Sequence, residues 1–151
     1  MQAEIFDAAE EARNLVAGRT DLGAVVSFVG LCRDEGAGLA ALEIEHYPGM
    51  AEVEIARVVL EAEARWRGVR ATAIHRYGSF APGEPIVLVV TAAAHRGEAF
   101  AAAEMLMDYL KTRAPFWKRV RYLDGSQGGW VEAKSHDDNS AARWDAGASK
   151  K

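Results

Sequence analysis

The amino-acid sequence predicts an α+β fold, a largely antiparallel sheet packed by helices. Three stretches carry apolar residues at helical spacing, and six shorter ones are rich in β-branched and aromatic residues or alternate apolar with polar. The strand-like runs do not alternate one for one with helices, as strict βαβ units would. Instead 69–92 and 116–133 each read as a hairpin, the connection that antiparallel strands allow.

Ile5, Phe6, Ala9, Ala12, Leu15 and Val16 mark the first helix, with Gly18 as its stop. Ala24 to Leu31 is strand-like, and 34–38 (DEGAG) is a loop. Leu42 to Tyr47 alternates, with Leu42, Ile44 and His46 on one face and Glu43, Glu45 and Tyr47 on the other, so a half-buried strand is expected up to Pro48-Gly49. Helical period returns from Met50 to Trp66, through Val53, Ala56, Val59 and Leu60, before Gly68. Val69 to Tyr77 reads as a strand, Ala81-Pro82-Gly83 as a turn, and Ile86 to Ala92 as a strong strand. The clearest helix is Arg96 to Arg113, striped by Phe100, Ala103, Met107 and Leu110. Pro115 ends it, because proline has no amide donor and biases Ala114 away from helix. Phe116 to Tyr122 and Trp130 to Ala133 are then strands joined by the loop 124–129.

A chain of 151 residues, 50% hydrophobic and 26% charged, is expected to form one soluble domain whose core needs no disulfide or metal staple, with a polar tail from about residue 137. No apolar run approaches the roughly 20 residues of a membrane-spanning helix. Residues 1–11 carry Glu4, Asp7, Glu10 and Glu11 where a secretory signal has basic residues. Cys32 is the only cysteine, which excludes an internal disulfide and a Cys-rich zinc site and fits a reducing cytoplasm. Its default role is that of a small buried hydrophobe.

Charge is unevenly spread. Residues 1–70 hold seven Lys/Arg against thirteen Asp/Glu, whereas 71–123 hold seven against four. Five of those cations, Lys111, Arg113, Lys118, Arg119 and Arg121, fall within eleven residues. The acidic balance argues against nonspecific nucleic-acid binding. The basic cluster reads either as the site of one small anion or as a solvated charged face.

Candidate chemistry gathers around the last long helix. His95-Arg96 stands where a buried strand gives way to a helix start, whose free amides and dipole favour an anion that Arg96 can grip bidentately. Lys111 lies in the final turn and Lys118 just past the Pro115 break, so the fold-back can bring two amines to one site. Mutual repulsion or burial would lower the pKa of such a pair toward values useful for proton transfer or nucleophilic attack; alternatively Lys111 only complements the helix C-terminus. Arg33 opens a Gly-containing loop and points either into a cleft or into water. His46 and His75 sit within strand patterns, as sheet histidines commonly do, and no HExxH or similar spacing suggests a metal.

The runs Glu45-His46-Tyr47-Pro48-Gly49-Met50 and Met107-Asp108-Tyr109-Leu110-Lys111-Thr112-Arg113-Ala114-Pro115-Phe116-Trp117-Lys118 closely resemble the large, catalytic subunits of molybdopterin synthase, the MoaE family. Further matching pieces are 24–30 (AVVSFVG), His75-Arg76-Tyr77-Gly78, Pro82-Gly83-Glu84, Ala94-His95-Arg96 and Trp130-Val131-Glu132-Ala133, in the family's order and spanning about 20–144. The resemblance implies an α/β hammerhead-type fold and a sulfurtransferase of molybdenum-cofactor biosynthesis. Such an enzyme installs the two dithiolene sulfurs of molybdopterin in cyclic pyranopterin monophosphate (precursor Z). The sulfur arrives as a thiocarboxylate on the C-terminal Gly-Gly of a small ubiquitin-like subunit. A homodimer of large subunits at the centre of a heterotetramer is implied, with no cofactor of its own, no nucleic acid and no membrane.

The same resemblance suggests roles. Lys111 lies beside the incoming thiocarboxylate and Lys118 does acid–base work. Arg33, His95 and Arg96 match the pterin and phosphate pocket, some of them from the neighbouring protomer. Lys134 stands where the family commonly has arginine, keeping the charge and losing the bidentate fork. Phe116 and Trp117 are the expected docking surface for the small subunit, one of them facing outward if the strand alternates.

Overall fold

The computed structural model describes residues 1–34, 38–131 and 142–144. Helix α1 (Ala8–Val16) is capped by Asp7, whose Oδ1 accepts the amides of Ala9 and Glu10 at 2.8 and 3.0 Å. It therefore begins inside the apolar pattern that starts at Ile5, since the cap consumes those first residues. There follow β1 (Ala24–Leu31), β2 (Leu39–His46), α2 (Met50–Arg65), β3 (Arg70–His75), β4 (Gly78–Phe80), β5 (Pro85–Ala93), α3 (Arg96–Thr112), β6 (Phe116–Tyr122) and β7 (Gln127–Val131).

The strands form two antiparallel sheets, ordered β1-β5-β3 and β4-β2-β6-β7. Mixed helices and antiparallel strands are what the sequence predicts. One segment differs. The strand expected over 69–77 forms as β3 but ends at His75, and the chain then crosses to the second sheet, where an unexpected strand, β4, pairs with β2 through Ile44 and Gly78. Gly78 makes that crossing at φ +121, a conformation that side chains resist. The expected hairpin survives as β3 against β5, from Arg70 opposite Ala92 to His75 opposite Val87. The second hairpin, β6 with β7, closes more tightly than the Gly/Ser composition suggests. Strand resumes at Gln127, and Asp124 accepts the Ser126 amide and hydroxyl at 2.8 and 2.6 Å.

β5 is the central strand of its sheet, buried from Ile86 to Ala93, with α3 and α1 both against that sheet. Val89, Met105, Leu106 and Val58 join β5, α3 and α2 in one core, each such side chain contributing about 1.5–3 kcal/mol on burial. Tyr109 is buried with them, its hydroxyl donating to Glu61 Oε1 at 3.2 Å. A short turn at 142–144 docks on the helices: Trp144 Nε1 donates to Asp108 at 2.7 Å and Arg65 donates to the Trp144 carbonyl at 2.8 Å. No helix among the described residues is long and apolar enough to cross a membrane.

The start of β1 passes so close to the end of β5 that a Cβ on Gly23 would stand 2.6 Å from the Ala94 carbonyl oxygen, a backbone atom that cannot step aside. Gly23→Ala is expected to lose about 1–3 kcal/mol of stability, read from denaturant unfolding.

Candidate functional site

Sheet register and the direction of α3 sort the candidate residues into two groups. Thr91 Oγ1 donates to the Ala99 carbonyl at 2.7 Å, and Ala99 and Ala102 pack with Ala93 and Val69. Farther along, Tyr109 and Leu110 pack in the cluster that holds Ile86 and Val87. α3 thus runs back along β5, and Lys111 in its last turn returns to the Pro85 end. Arg33 lies at that same end. Leu31 pairs with Pro85, and the next residue, Cys32, is held by hydrogen bonds from its amide to the Glu84 carbonyl at 2.8 Å and from the Gly83 amide to its own carbonyl at 2.7 Å. His75, opposite Val87, places the start of β6 there too, because its ring lies 4.1 Å from that of Phe116.

His95 and Arg96 occupy the other end. His95 is the N-cap of α3 without a side-chain cap hydrogen bond, and both residues are exposed. Fifteen residues of helix separate Arg96 from Lys111, about 22 Å at 1.5 Å per residue. Within one chain, therefore, Arg33, Lys111 and Lys118 are brought to one end while His95 and Arg96 are not. Lys134 lies outside the described residues.

β6 divides the basic cluster between two faces. Trp117 is 45% exposed and edges against Tyr47 at 6.2 Å, while Phe116 turns inward under His75. Arg119 is committed to Glu43 through Nε and Nη2 at 3.0 and 2.7 Å and lies over Trp130; Arg121 approaches the same carboxylate at 3.9 Å. Lys118 belongs to the Phe116 side, half-buried, with its Nζ 5.4 Å from the Phe116 ring centroid. Crowding of cations in the sequence thus becomes one amine facing inward and two guanidiniums sharing an acidic partner outside.

His75 is the residue that spacing alone passed over. It is 3% exposed, and burial, opposed by its hydrogen bond to the Arg76 carbonyl and reinforced by the charge of Lys118, lowers its pKa to about 4. The sequence signal for it is the His75-Arg76-Tyr77-Gly78 run, which marks the crossing between sheets. Burial also raises the Cys32 thiol, whose Sγ lies 3.5 Å from the Phe80 carbonyl, so it stays a protonated core group. Among the described residues no three His, Cys, Asp or Glu side chains converge on a common point. A depression of about 440 Å³ lined by Gly38, Tyr122, Leu123, Asp124 and Ser126 lies at the far end of β6, its carboxylate already bonded to Ser126.

This arrangement of two antiparallel sheets with a long helix along the central strand has known counterparts. The family model described as MoaE protein matches residues 1–113, and the chain belongs to that family. A molybdopterin synthase catalytic subunit from Mesorhizobium japonicum is 60% identical over 144 residues, covering 95% of this chain and 91% of that protein. Among solved structures, the molybdopterin biosynthesis MoaE protein from Burkholderia ambifaria superposes with a TM-score of 0.81 at 46% identity, covering 95% of each chain. The molybdopterin synthase from Staphylococcus aureus superposes with a TM-score of 0.79 at 27% identity, covering 86% of this chain and 93% of that one.

The depressed His75 has a consequence for stability. Between its ordinary pKa of 6.5 and its folded value of about 4, the unfolded chain takes up a proton that the folded chain refuses. The stability it confers is whole above pH 6.5 and declines as pH falls toward 4, by on the order of 3 kcal/mol. Urea unfolding near pH 7 and near pH 4.5 is expected to show this loss in the wild type and a shallower one in His75→Phe.

Proposed function

We propose that this chain is the catalytic subunit of a molybdopterin synthase, a cytoplasmic sulfurtransferase that carries sulfur from the C-terminal thiocarboxylate of a small ubiquitin-like subunit to cyclic pyranopterin monophosphate. The observation that carries the reading is the relative of that name, matched along nearly the whole chain with both lysines inside the match. In the reaction, a thiocarboxylate sulfur bonds to a pterin side-chain carbon as a carbon–oxygen bond there breaks and its oxygen departs. Water then cleaves the acyl–sulfur bond, supplying the oxygen that replaces sulfur on the glycine carboxyl. Each tail brings one sulfur, so one dithiolene consumes two loaded tails.

Two amines on either side of the Pro115 break suit such a donor. Lys111, exposed at the helix end, meets the anionic tail and stabilises charge gathering on its carbonyl oxygen. Lys118, half-buried against Phe116, exchanges protons with the pterin as its ring opens and sulfur adds. Arg33 at the same end faces the phosphate; Lys134, the other cation assigned to this role, lies outside the described residues. Trp117 and its neighbour Tyr47 offer the small subunit an exposed aromatic pair, with Phe116 beneath.

His95 and Arg96 reach this pocket only from a second copy, because the length of α3 holds them about 22 Å from Lys111 in their own chain. An edge strand that leaves Val25, Phe28, Val29 and Leu31 between 38 and 53% exposed supports a homodimer, since such an edge is ordinarily covered.

The test is reconstitution with thiocarboxylated small subunit and precursor Z, followed by the fluorescent oxidation product of molybdopterin. Lys118→Ala is expected to lose at least about a hundredfold in turnover with its circular dichroism unchanged. An active, folded Lys118→Ala would leave a non-catalytic adaptor for a ubiquitin-like partner as the better reading. Trp117→Ala is expected to weaken the small subunit's binding by about 1–2 kcal/mol in calorimetry. Arg96→Ala and Lys111→Ala, each inactive alone, are expected to recover about a quarter of wild-type activity when mixed and allowed to exchange subunits, because half the dimers are mixed and each has one intact site.

A further inference from the structure

The crossing between the two sheets places a buried histidine against the ring that carries Lys118. We propose that His75 is a positioning residue, acting through Phe116 to hold the Lys118 amine where it works; this rests on the reading of Lys118 as a catalytic group. The two rings are 4.1 Å apart and tilted by 33°, and the Lys118 Nζ is 5.4 Å from the same Phe116 centroid. A cation within about 6 Å of an aromatic centroid is drawn to that ring, so fixing the ring restricts the amine.

The imidazole is itself fixed. Nδ1 donates to the Arg76 carbonyl at 2.9 Å, which sets the tautomer. Arg76 is held in turn: Nε and Nη2 donate to the Ala3 carbonyl at 3.1 and 3.0 Å, Nη1 donates to the Pro85 carbonyl at 2.7 Å, and the guanidinium lies 4.7 Å over Phe80. The Gln2 and Tyr77 amides complete the tie by donating to the His75 and Gln2 carbonyls, both at 3.1 Å. Sliding the His75 ring along Phe116 would break a buried hydrogen bond. A phenylalanine would fill the space but offer the Arg76 carbonyl no donor. Neutral at physiological pH, the imidazole also adds no charge that would repel the ammonium.

The experiment reads Lys118 directly. The folded chain is acetylated briefly with limiting acetic anhydride, and labelling of Lys118 is compared with Lys111 in the same sample by peptide mass spectrometry, for wild type, His75→Phe and His75→Gln. The same proteins are assayed for kcat and KM with loaded small subunit and precursor Z. In His75→Phe the Lys118/Lys111 labelling ratio is expected to change by about threefold or more, with kcat falling about ten- to a hundredfold and KM for the pterin staying within about twofold. His75→Gln, which retains a donor, is expected to restore part of both. An unchanged labelling ratio in folded His75→Phe overturns the proposal. A changed ratio with unchanged kcat sustains the coupling and overturns the catalytic reading of Lys118 instead. If His75→Phe does not fold, Phe116→Leu removes the shared ring while leaving His75, and an unaltered ratio there is equally fatal.

Discussion

The reversal at Ala114-Pro115 is the constraint on which the arrangement of the site depends. A proline amide cannot continue the hydrogen bonding of α3, so the helix ends at Thr112 and the chain re-enters as β6 between β2 and β7. Because α3 has already run the length of β5, the reversal happens at the end where β1 delivers Arg33 and β3 delivers His75. Moving the break by one residue would exchange the faces of β6, since side chains alternate along a strand. Trp117 would turn inward and Lys118 outward.

Alternation along β6 also separates the cations that pair with Glu43 from the lysine on the opposite face. Glu43 lies opposite Arg119 in the register and draws both Arg119 and Arg121, and these pairs sit on a partly exposed surface where they add little stability. Their effect is on the field: the outer face is locally neutralised, and Lys118 is left on the side shared with Phe116 and a neutral His75. An acidic protein can thus keep a local cluster of cations without the broad basic face that would attract nucleic acid.

The buried cation Arg76 has a different role, since carbonyl oxygens and an aromatic face satisfy it instead of a carboxylate. It joins residues 1–3 to the crossing between the sheets and to the start of β5. The sheets are therefore coupled at the place where the candidate chemistry gathers, through β3, β4 and the extreme N-terminus.

Much of the fold was legible in the sequence because local patterns act locally. The period of 96–113, the stop at Pro115 and the apolar run 86–92 each fixed an element to within a residue or two, and the alternation of 42–47 located β2, which begins three residues earlier at Leu39. The His95-Arg96 step at a helix start and the two lysines astride the break were legible for the same reason. The switch at Gly78 was not, because β4 exists only through its pairing with β2, more than thirty residues away. Nor was the division of the basic cluster, which depends on Glu43 lying across the sheet. His75 looked like any sheet histidine until Phe116 covered it. Residue type and spacing decided what each segment would become and which chemical groups it carried; long-range register and burial alone decided which of those groups would meet, because both are set by contacts between segments remote in the chain.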